Sequence, residues 1–185
     1  MKKIILIYGL IAGSILAAVM LISIPLWQNG VLNFNNGEIT GYSSMVIALS
    51  MIFFGIKSFR DNHLAGKITF GQGFKVGIMI SAIASVMYAL SWEVSYHTMG
   101  NQFITDWAEH YQSELDSSSM SATEKEEAIQ EMQVYMEWYK NPLIRFAMTL
   151  FEVFPLGLVI TIISAALLRK ATFLPAQEVK KTSPS

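Results

Sequence analysis

The sequence predicts an all-α fold: a polytopic membrane protein with four transmembrane helices and a short extracytoplasmic helical pair between helices 3 and 4. Of its 185 residues, 52% are hydrophobic and only 15% are charged, whereas a soluble domain carries about 25% charged residues. Charges are segregated, with acids concentrated in one connection and bases in the others. Four apolar stretches are long enough to cross the ~30 Å hydrocarbon core of a bilayer. They are residues 4–27, 42–59, 74–96 and 146–168.

The first stretch, residues 4–27, follows two lysines and is either a signal peptide or a first membrane helix. A signal peptide has an apolar core of about 7–15 residues and a small-residue cleavage site. Here the apolar run has 24 residues and ends in Pro25 and Trp27, and tryptophan is typical of the membrane interface. Its length and its ending favour an uncleaved helix.

Small residues recur every four positions in this stretch, at Gly9, Gly13 and Ala17. Such a face allows another helix to approach closely. It indicates either a homodimer contact or packing within the protein's own bundle. The second interpretation is favoured because small residues are common at contacts inside membrane bundles.

The next two stretches are separated by a basic connection. Residues 28–41 contain Asn and Gly without Lys or Arg and are predicted to form a short exposed loop before the stretch at 42–59. Thr69 and Gln72 have the spacing of a capping box, so the third helix is expected to begin near Phe70. The bases of the connection are Lys57, Arg60, Lys67 and Lys75.

The segment 97–142 differs in composition, with nine acids against two bases. Apolar residues at spacings of three and four predict two amphipathic helices in it. Ser121 and Glu124 have capping-box spacing, and Pro142 suits the first turn of the last helix. The apolar stripes are Ile104, Trp107, Tyr111 and Leu115 in the first helix, and Ile129, Met132, Met136 and Tyr139 in the second.

The bases also predict an orientation. Ten of the thirteen Lys and Arg residues lie at the N-terminus, in the second connection and in the C-terminal tail. The positive-inside rule therefore places both termini in the cytoplasm and residues 97–142 outside the cytoplasmic membrane. Residues 1–170 form a single domain in this interpretation. Residues 171–185 contain Pro, Ser and Lys without periodicity and are predicted to be a disordered cytoplasmic tail.

Two stretches resemble a known family. They are KITFGQGFKVGIMISAIASVMYAL at residues 67–90 and FEVFPLGLVITIISAALLRK at residues 151–170. Both resemble the bacterial domain-of-unknown-function family 4199, which consists of four-helix membrane proteins common in the Bacteroidota. The resemblance covers roughly residues 4–170, and TFGQGFKVG is its most specific part. It implies an integral membrane protein and supplies no activity, substrate or catalytic residue.

The last stretch contains an acid, Glu152, at a depth where hydrocarbon strongly penalises a charge. Its carboxyl group is expected to face the other helices and to be either protonated or paired. Arg145, Thr149 and Glu152 are spaced i, i+4, i+7 and share one helical face. Pro155 removes a backbone hydrogen bond beside the acid and predicts a kink. The residues form either a proton- or ion-handling site or a structural hydrogen bond to a neighbouring helix.

Glu93, about one turn from the far end of the third stretch, is expected to pair with Arg145 because both lie near the same interface. Glu93 with His97 has an i, i+4 spacing that can bind a metal, and Asp106, His110 and Glu114 repeat this spacing. Each set offers too few ligands for a good site and is interpreted as a solvated or locally paired face. The sequence predicts no metal and no cofactor.

Aromatic residues on the acidic segment form either a binding groove or the packing between its two helices. Packing is favoured, because aromatics at helical spacing usually join helices or rest at the membrane interface. No nucleophile–base set and no phosphate-binding loop is visible, so no enzyme activity is predicted. The aromatic residues are Trp107, Tyr111, Tyr135, Trp138 and Tyr139.

These features support two hypotheses for function. The first is a non-enzymatic interaction or assembly component of the cytoplasmic membrane, embedded in the lipid bilayer, whose acidic loop contacts a membrane or periplasmic protein partner. The alternative is a small oligomeric transporter, or an ion- or proton-conducting protein, that uses Glu152. A homo-oligomer is expected in the second case. No basic domain indicates binding to nucleic acid, and a membrane enzyme is the third choice.

Overall fold

The computed structural model describes residues 1–99 and 102–175, and the regular elements there are all α-helices. They are α1 (Lys2–Gln28), α2 (Phe34–Leu49), α3 (Met51–His63), α4 (Phe70–Met99), α5 (Gln102–Ser117), α6 (Ala122–Lys140) and α7 (Pro142–Leu168). Within the described residues, four helical spans are long and apolar enough to cross a membrane. They are Lys2–Trp27, Asn36–His63, Phe70–Thr98 and Pro142–Leu168. The prediction of an all-α protein with four membrane-spanning helices is confirmed.

The helix α4 is central, because it packs against α1 on one side and α7 on the other. Glycines permit both approaches. A Cβ atom on Gly13 of α1 would lie 2.4 Å from the Met87 sulfur, and one on Gly157 of α7 would lie 2.0 Å from Ser81 Oγ. The small-residue face of α1 is therefore used for packing inside the bundle, which is the favoured one of its two interpretations.

The two ends of the bundle differ. At the terminal end lie the start of α1, the α3–α4 connection and the end of α7; at the capped end lie α5 and α6. The middle and the terminal end hold most of the fully buried side chains, so they are closely packed. The largest apolar ones are Leu16, Leu49, Ile52, Ile56, Ile80 and Leu168.

The second span begins earlier than the sequence predicts. A loop was expected over residues 28–41, but α2 starts at Phe34. The Asn36 backbone N–H donates to Asn33 Oδ1 at 3.3 Å, and the Asn33 backbone N–H donates to Asn36 Oδ1 at 2.8 Å. This reciprocal cap satisfies two N–H groups at the start of a helix. The asparagines that indicated a loop therefore begin a helix instead.

Other helix boundaries agree with the sequence. The Gln72 backbone N–H donates to Thr69 Oγ1, and the Thr69 backbone N–H donates to Gln72 Oε1, so the predicted capping box precedes α4. Ser121 and Glu124 form the second predicted box at the start of α6. Pro142 occupies the first turn of α7. Each of these local signals places a helix start correctly.

Residues 171–175 differ from the predicted disordered tail. They form a turn against α3, where the fully buried Arg60 donates hydrogen bonds to the backbone carbonyls of Phe173 (2.9 Å), Leu174 and Leu168 (3.4 Å). A buried guanidinium must find acceptors for its five N–H groups. Asp61 Oδ1 accepts from Nε at 2.7 Å, and the carbonyls at and just after the end of α7 accept from the other two nitrogens, which holds this part of the chain against α3. Residues 176–185 lie outside the described residues.

Candidate functional site

A cavity of about 500 Å³ lies at the capped end, between the ends of α1, α2, α4 and α7 and the pair α5–α6. This volume falls in the range of about 300–1,000 Å³ that is typical of small-molecule sites. Aromatic residues from five helices line the cavity. They are Trp27, Tyr42, Tyr88, Trp92, Trp107, Tyr135 and Tyr139.

A row of aromatic rings holds α5 and α6 over the bundle. Ring centroids are 5.6 Å apart for Trp107 and Tyr135, 5.7 Å for Tyr135 and Tyr139, and 5.9 Å for Tyr139 and Tyr96. The row thus connects α5, α6 and α4 at separations typical of favourable aromatic pairs. The predicted packing role is confirmed for Trp107, Tyr135 and Tyr139, whereas Trp138 is 56% exposed. Trp107, Tyr135 and Tyr139 also line the cavity, so packing and a binding surface coexist.

Glu152 lies in the wall of this cavity and is exposed. Tyr88 of α4 donates its hydroxyl to Glu152 Oε1 at 3.5 Å, a long distance for an O–H···O hydrogen bond. No Lys, Arg or His pairs with this carboxylate among residues 1–99 and 102–175. The acid therefore faces a neighbouring helix, as the sequence predicts, but only one weak partner meets it.

Arg145 makes a strong contact elsewhere. Its Nε and Nη2 donate to the two carboxylate oxygens of Glu93 at 2.9 and 2.6 Å, and its Nη1 donates to the Tyr139 carbonyl at 3.0 Å. The guanidinium carbon lies 3.8 Å from the centre of the Tyr96 ring. The predicted pairing of Glu93 with Arg145 is confirmed. The Arg145 side chain is only 2% exposed, and its guanidinium is already engaged with Glu93 and the Tyr139 carbonyl.

The predicted polar face of α7 is therefore divided between two environments. Arg145 belongs to the pair with Glu93, and Glu152 belongs to the cavity. Thr149 lines the cavity between them, but its hydroxyl donates to the Arg145 carbonyl at 2.9 Å inside α7. The helix continues through Pro155, whose ring leaves the Phe151 carbonyl without its usual helical donor.

The charge of the cavity wall is negative. Its described lining contains the three acids Glu38, Glu114 and Glu152 and no Lys or Arg. His110, also in the wall, lies 3.5 Å from Glu114. Burial raises the pKa of Tyr139 above its ordinary value and does the same to the pKa of Tyr135, so both phenols remain neutral. The site thus combines carboxylates with neutral aromatic surface.

Between Glu152 and the terminal end of the bundle, α4 and α7 pack closely against each other. Val153 has no exposed surface, and Gly157 allows α7 to touch Ser81 of α4. The hydroxyls of Ser81, Ser85 and Thr161 are buried between these helices, and none of the three has a hydrogen-bond partner within the described part of the chain. The cavity consequently lies at the capped end and does not extend past the close contact between α4 and α7.

Sequence reasoning missed most of the cavity wall. Trp27 was expected only at the membrane interface and Tyr42 only at the start of the second apolar stretch, and Tyr88 lies inside the third apolar stretch. The available signal was Tyr88 itself, because a tyrosine inside a membrane span usually finds a hydrogen-bond partner for its hydroxyl. His97, considered for metal binding with Glu93, instead has its ring against that of Tyr96. Within the described chain no three acidic or histidine side chains converge as metal ligands.

Comparison with known proteins identifies the family. A family model described as "Protein of unknown function (DUF4199)" matches residues 7–170. The chain therefore belongs to this family, in agreement with the resemblance of its third and last spans. No curated protein and no solved structure matches it.

Proposed function

We propose that this member of a family of unknown function is a non-enzymatic binding component of the cytoplasmic membrane, whose cavity at the capped end holds a small molecule. The observation that supports the proposal is the combination of a cavity of about 500 Å³ with an acid, Glu152, that has a single long hydrogen bond among the described residues. Apolar pockets with a few convergent polar groups are the usual form of ligand sites. With both termini in the cytoplasm, as the bases favour, the cavity faces the outside.

Binding without catalysis fits the residues around the cavity. Catalysis would need a nucleophile or a base oriented by a second group. The hydroxyls of Thr149 and Tyr88 already donate to the Arg145 carbonyl and to Glu152. The pair His110–Glu114 is separated by 3.5 Å and partly exposed on α5. The wall therefore offers recognition groups rather than an activated nucleophile.

Co-purification provides the test. The protein is extracted from its native membranes into nanodiscs and denatured, and the released small molecules are identified by mass spectrometry. Gly41 lies in the cavity wall, and a Cβ there would meet nothing within 4 Å, so Gly41→Phe is chosen to place a ring at the wall. The matched control is Gly71→Phe, an equally open position outside the cavity.

The expected result is a small molecule that accompanies the wild type and Gly71→Phe but not Gly41→Phe. A compound found equally with all three would be bound elsewhere. If none accompanies the wild type, the binding proposal is contradicted.

A second candidate function is transport or proton conduction by an oligomer through Glu152. It is favoured by the acid in the cavity wall and by the unpartnered hydroxyls of Ser81, Ser85 and Thr161, which continue from it towards the terminal end. The close contact at Gly157 interrupts this route in the present conformation. Proteoliposomes in which Glu152→Gln abolishes a proton or ion flux would favour transport over binding alone.

An assembly role through α6 rests on its exposed apolar side chains. Val134 is 49% exposed and Trp138 56%, and Leu143 at the start of α7 is 80% exposed. Such residues suit either the bilayer interface or a membrane or periplasmic protein partner. Crosslinking from Trp138 in native membranes distinguishes the two, since only the protein partner gives a discrete protein adduct.

A further inference from the structure

We infer that the cavity at the capped end selects an organic cation, an amine or quaternary ammonium compound that carries small apolar groups. This inference rests on the proposed function, because it names the ligand class of the same cavity. Three properties of the wall lead to it: its negative charge, the few hydrogen bonds made by Glu152, and its aromatic surface.

The charge of the wall favours cations over anions. The three carboxylates Glu38, Glu114 and Glu152 line the cavity, and its described lining holds no lysine or arginine. Arg145 lies close by in the fold, but it is 2% exposed and engaged with both oxygens of Glu93. An anionic ligand would therefore meet repulsion without a basic group to bind it.

Glu152 lacks the partner that a cation would supply. An ionised carboxylate can accept about four hydrogen bonds, whereas the Tyr88 hydroxyl is its only described donor, at 3.5 Å. In a membrane bundle a carboxylate is normally paired or shielded. A ligand ammonium group beside Glu152 provides an ion pair and displaces no existing one.

The aromatic surface provides the second half of the recognition. Indole and phenol rings attract a cation placed over their faces within about 6 Å. Trp92 and Tyr88 of α4 and Trp107 of α5 line the cavity that Glu152 enters. The protein already uses this interaction at the neighbouring pair, where the Arg145 guanidinium lies 3.8 Å over Tyr96.

A bare metal ion fits the wall less well than an organic cation. Among the residues that the structure describes, no three His, Asp or Glu side chains could hold a metal. A cavity of about 500 Å³ lined by rings and aliphatic residues such as Leu16 and Met45 would leave a small hydrated ion without close ligands. Apolar substituents on the cation fill this surface.

The test uses choline and its neutral isostere 3,3-dimethylbutan-1-ol, in which carbon replaces the charged nitrogen. Binding to the full-length protein in dodecyl maltoside micelles, whose headgroup carries no ammonium group, is followed by intrinsic fluorescence, because Trp27, Trp92 and Trp107 line the cavity. Trp138→Phe is the background, since Trp138 is outside the cavity and 56% exposed. Choline is expected to bind about tenfold more tightly than the neutral isostere.

Variants of the cavity lining test whether choline binds in this cavity. Glu152→Gln is expected to weaken choline binding about tenfold and to leave the neutral isostere unchanged. Tyr88→Phe keeps the ring and should retain most of the choline affinity, whereas Tyr88→Leu should lose it. The matched control is Glu137→Gln, an exposed acid on α6 that pairs with Lys140 outside the cavity. Thermal melting of each variant verifies that it is folded.

The outcomes separate this inference from the proposed function. Equal binding of choline and the isostere, both lost in Gly41→Phe, would overturn the cation class and leave the binding function intact. Binding of neither probe by folded wild type also overturns the cation class, and the co-purification experiment then decides the binding function by itself. Choline binding that Glu152→Gln leaves unchanged would show a cation site elsewhere and overturn the assignment to this cavity.

Discussion

Glu93 of α4 and Arg145 of α7 form a bidentate ion pair at the capped end, with N–O distances of 2.9 and 2.6 Å. Because of this pair, Glu93 and Glu152 lie in different environments. Because Arg145 is occupied by Glu93 and by the Tyr139 carbonyl, Glu152, about two turns further along α7, has no basic partner among the residues that the structure describes. The helix α7 therefore carries both a structural ion pair, at Arg145, and an acid with few hydrogen bonds, Glu152.

Arg145→Ala is expected to lower the free energy of unfolding by about 3 kcal/mol, because removal of one partner of a mostly buried pair leaves the other charge uncompensated. The side chains are 2% exposed for Arg145 and 19% for Glu93. Denaturant or thermal unfolding in detergent measures the loss. Arg145→Lys is the matched control, and it should recover only part of the stability because lysine cannot form the bidentate contact.

The exchange Glu93→Arg with Arg145→Glu tests the pair itself. It should be more stable than either single variant, yet less stable than the wild type. The exchange restores the opposite charges but loses the hydrogen bond to the Tyr139 carbonyl and the contact with the Tyr96 ring. An exchange that is no better than the single variants would mean that the pair contributes little.

Gly157→Ala is expected to destabilise the contact between α4 and α7. The new Cβ would lie 2.0 Å from Ser81 Oγ and 2.9 Å from Ser81 Cβ, so the helices must separate. Overpacking of this kind costs about 1–3 kcal/mol. Gly71→Ala is the control, since nothing lies within 4 Å of its Cβ and alanine favours a helix by up to about 1 kcal/mol. Thermal melting should therefore move in opposite directions for the two variants.

Glu152→Gln is expected to leave the protein folded and at least as stable as the wild type. The wild-type carboxylate receives one long hydrogen bond, from Tyr88, and a glutamine removes an unpaired acid from a membrane span. A gain of up to about 1 kcal/mol, together with loss of ligand binding, is typical of residues kept for function rather than stability. If unfolding becomes easier by a similar amount, Glu152 has a structural role instead.

The sequence predicts the spans and the ion pair because both depend on local features. Long apolar runs define the helices. Glu93 lies near the C-terminal end of the third span and Arg145 near the N-terminal end of the last, so both are expected at the same end of the bundle. The predicted start of the second helix was wrong, because asparagine is common both in loops and at helix N-caps. Only the reciprocal hydrogen bonds of Asn33 and Asn36 show that these two residues cap a helix. Composition alone carries no such information.

The cavity and the C-terminal turn could not be predicted, for a different reason. The wall of the cavity joins residues as distant in the chain as Leu16 and Glu152, and it exists only once α5 and α6 are placed over the bundle. Arg60 satisfies its donors with backbone carbonyls of Phe173 and Leu174. Every residue has a carbonyl, so the sequence does not show which ones an arginine will use.

Arg60→Ala is expected to release residues 171–175 from α3, because the buried guanidinium donates to the carbonyls of Phe173 and Leu174. Limited proteolysis with chymotrypsin, which cleaves after aromatic residues, should then cut at Phe173 faster than in the wild type. Lys67→Ala is the control, since it removes an exposed base from the same end of the bundle. Equal cleavage of the two variants would contradict an anchoring role for Arg60.

The proposed orientation places the α5–α6 connection outside the cytoplasmic membrane and the C-terminus inside. The chain has no cysteine, so single cysteines at Ser118 and Ser183 report one side each. A membrane-impermeant maleimide should label the cysteine at 118 in intact spheroplasts, and the one at 183 only after permeabilisation. The reverse pattern would invert the topology and turn the cavity towards the cytoplasm. If both positions are labelled in intact spheroplasts, residues 118 and 183 lie on the same side of the membrane. The chain would then not cross the membrane once between them, and α7 would not span it.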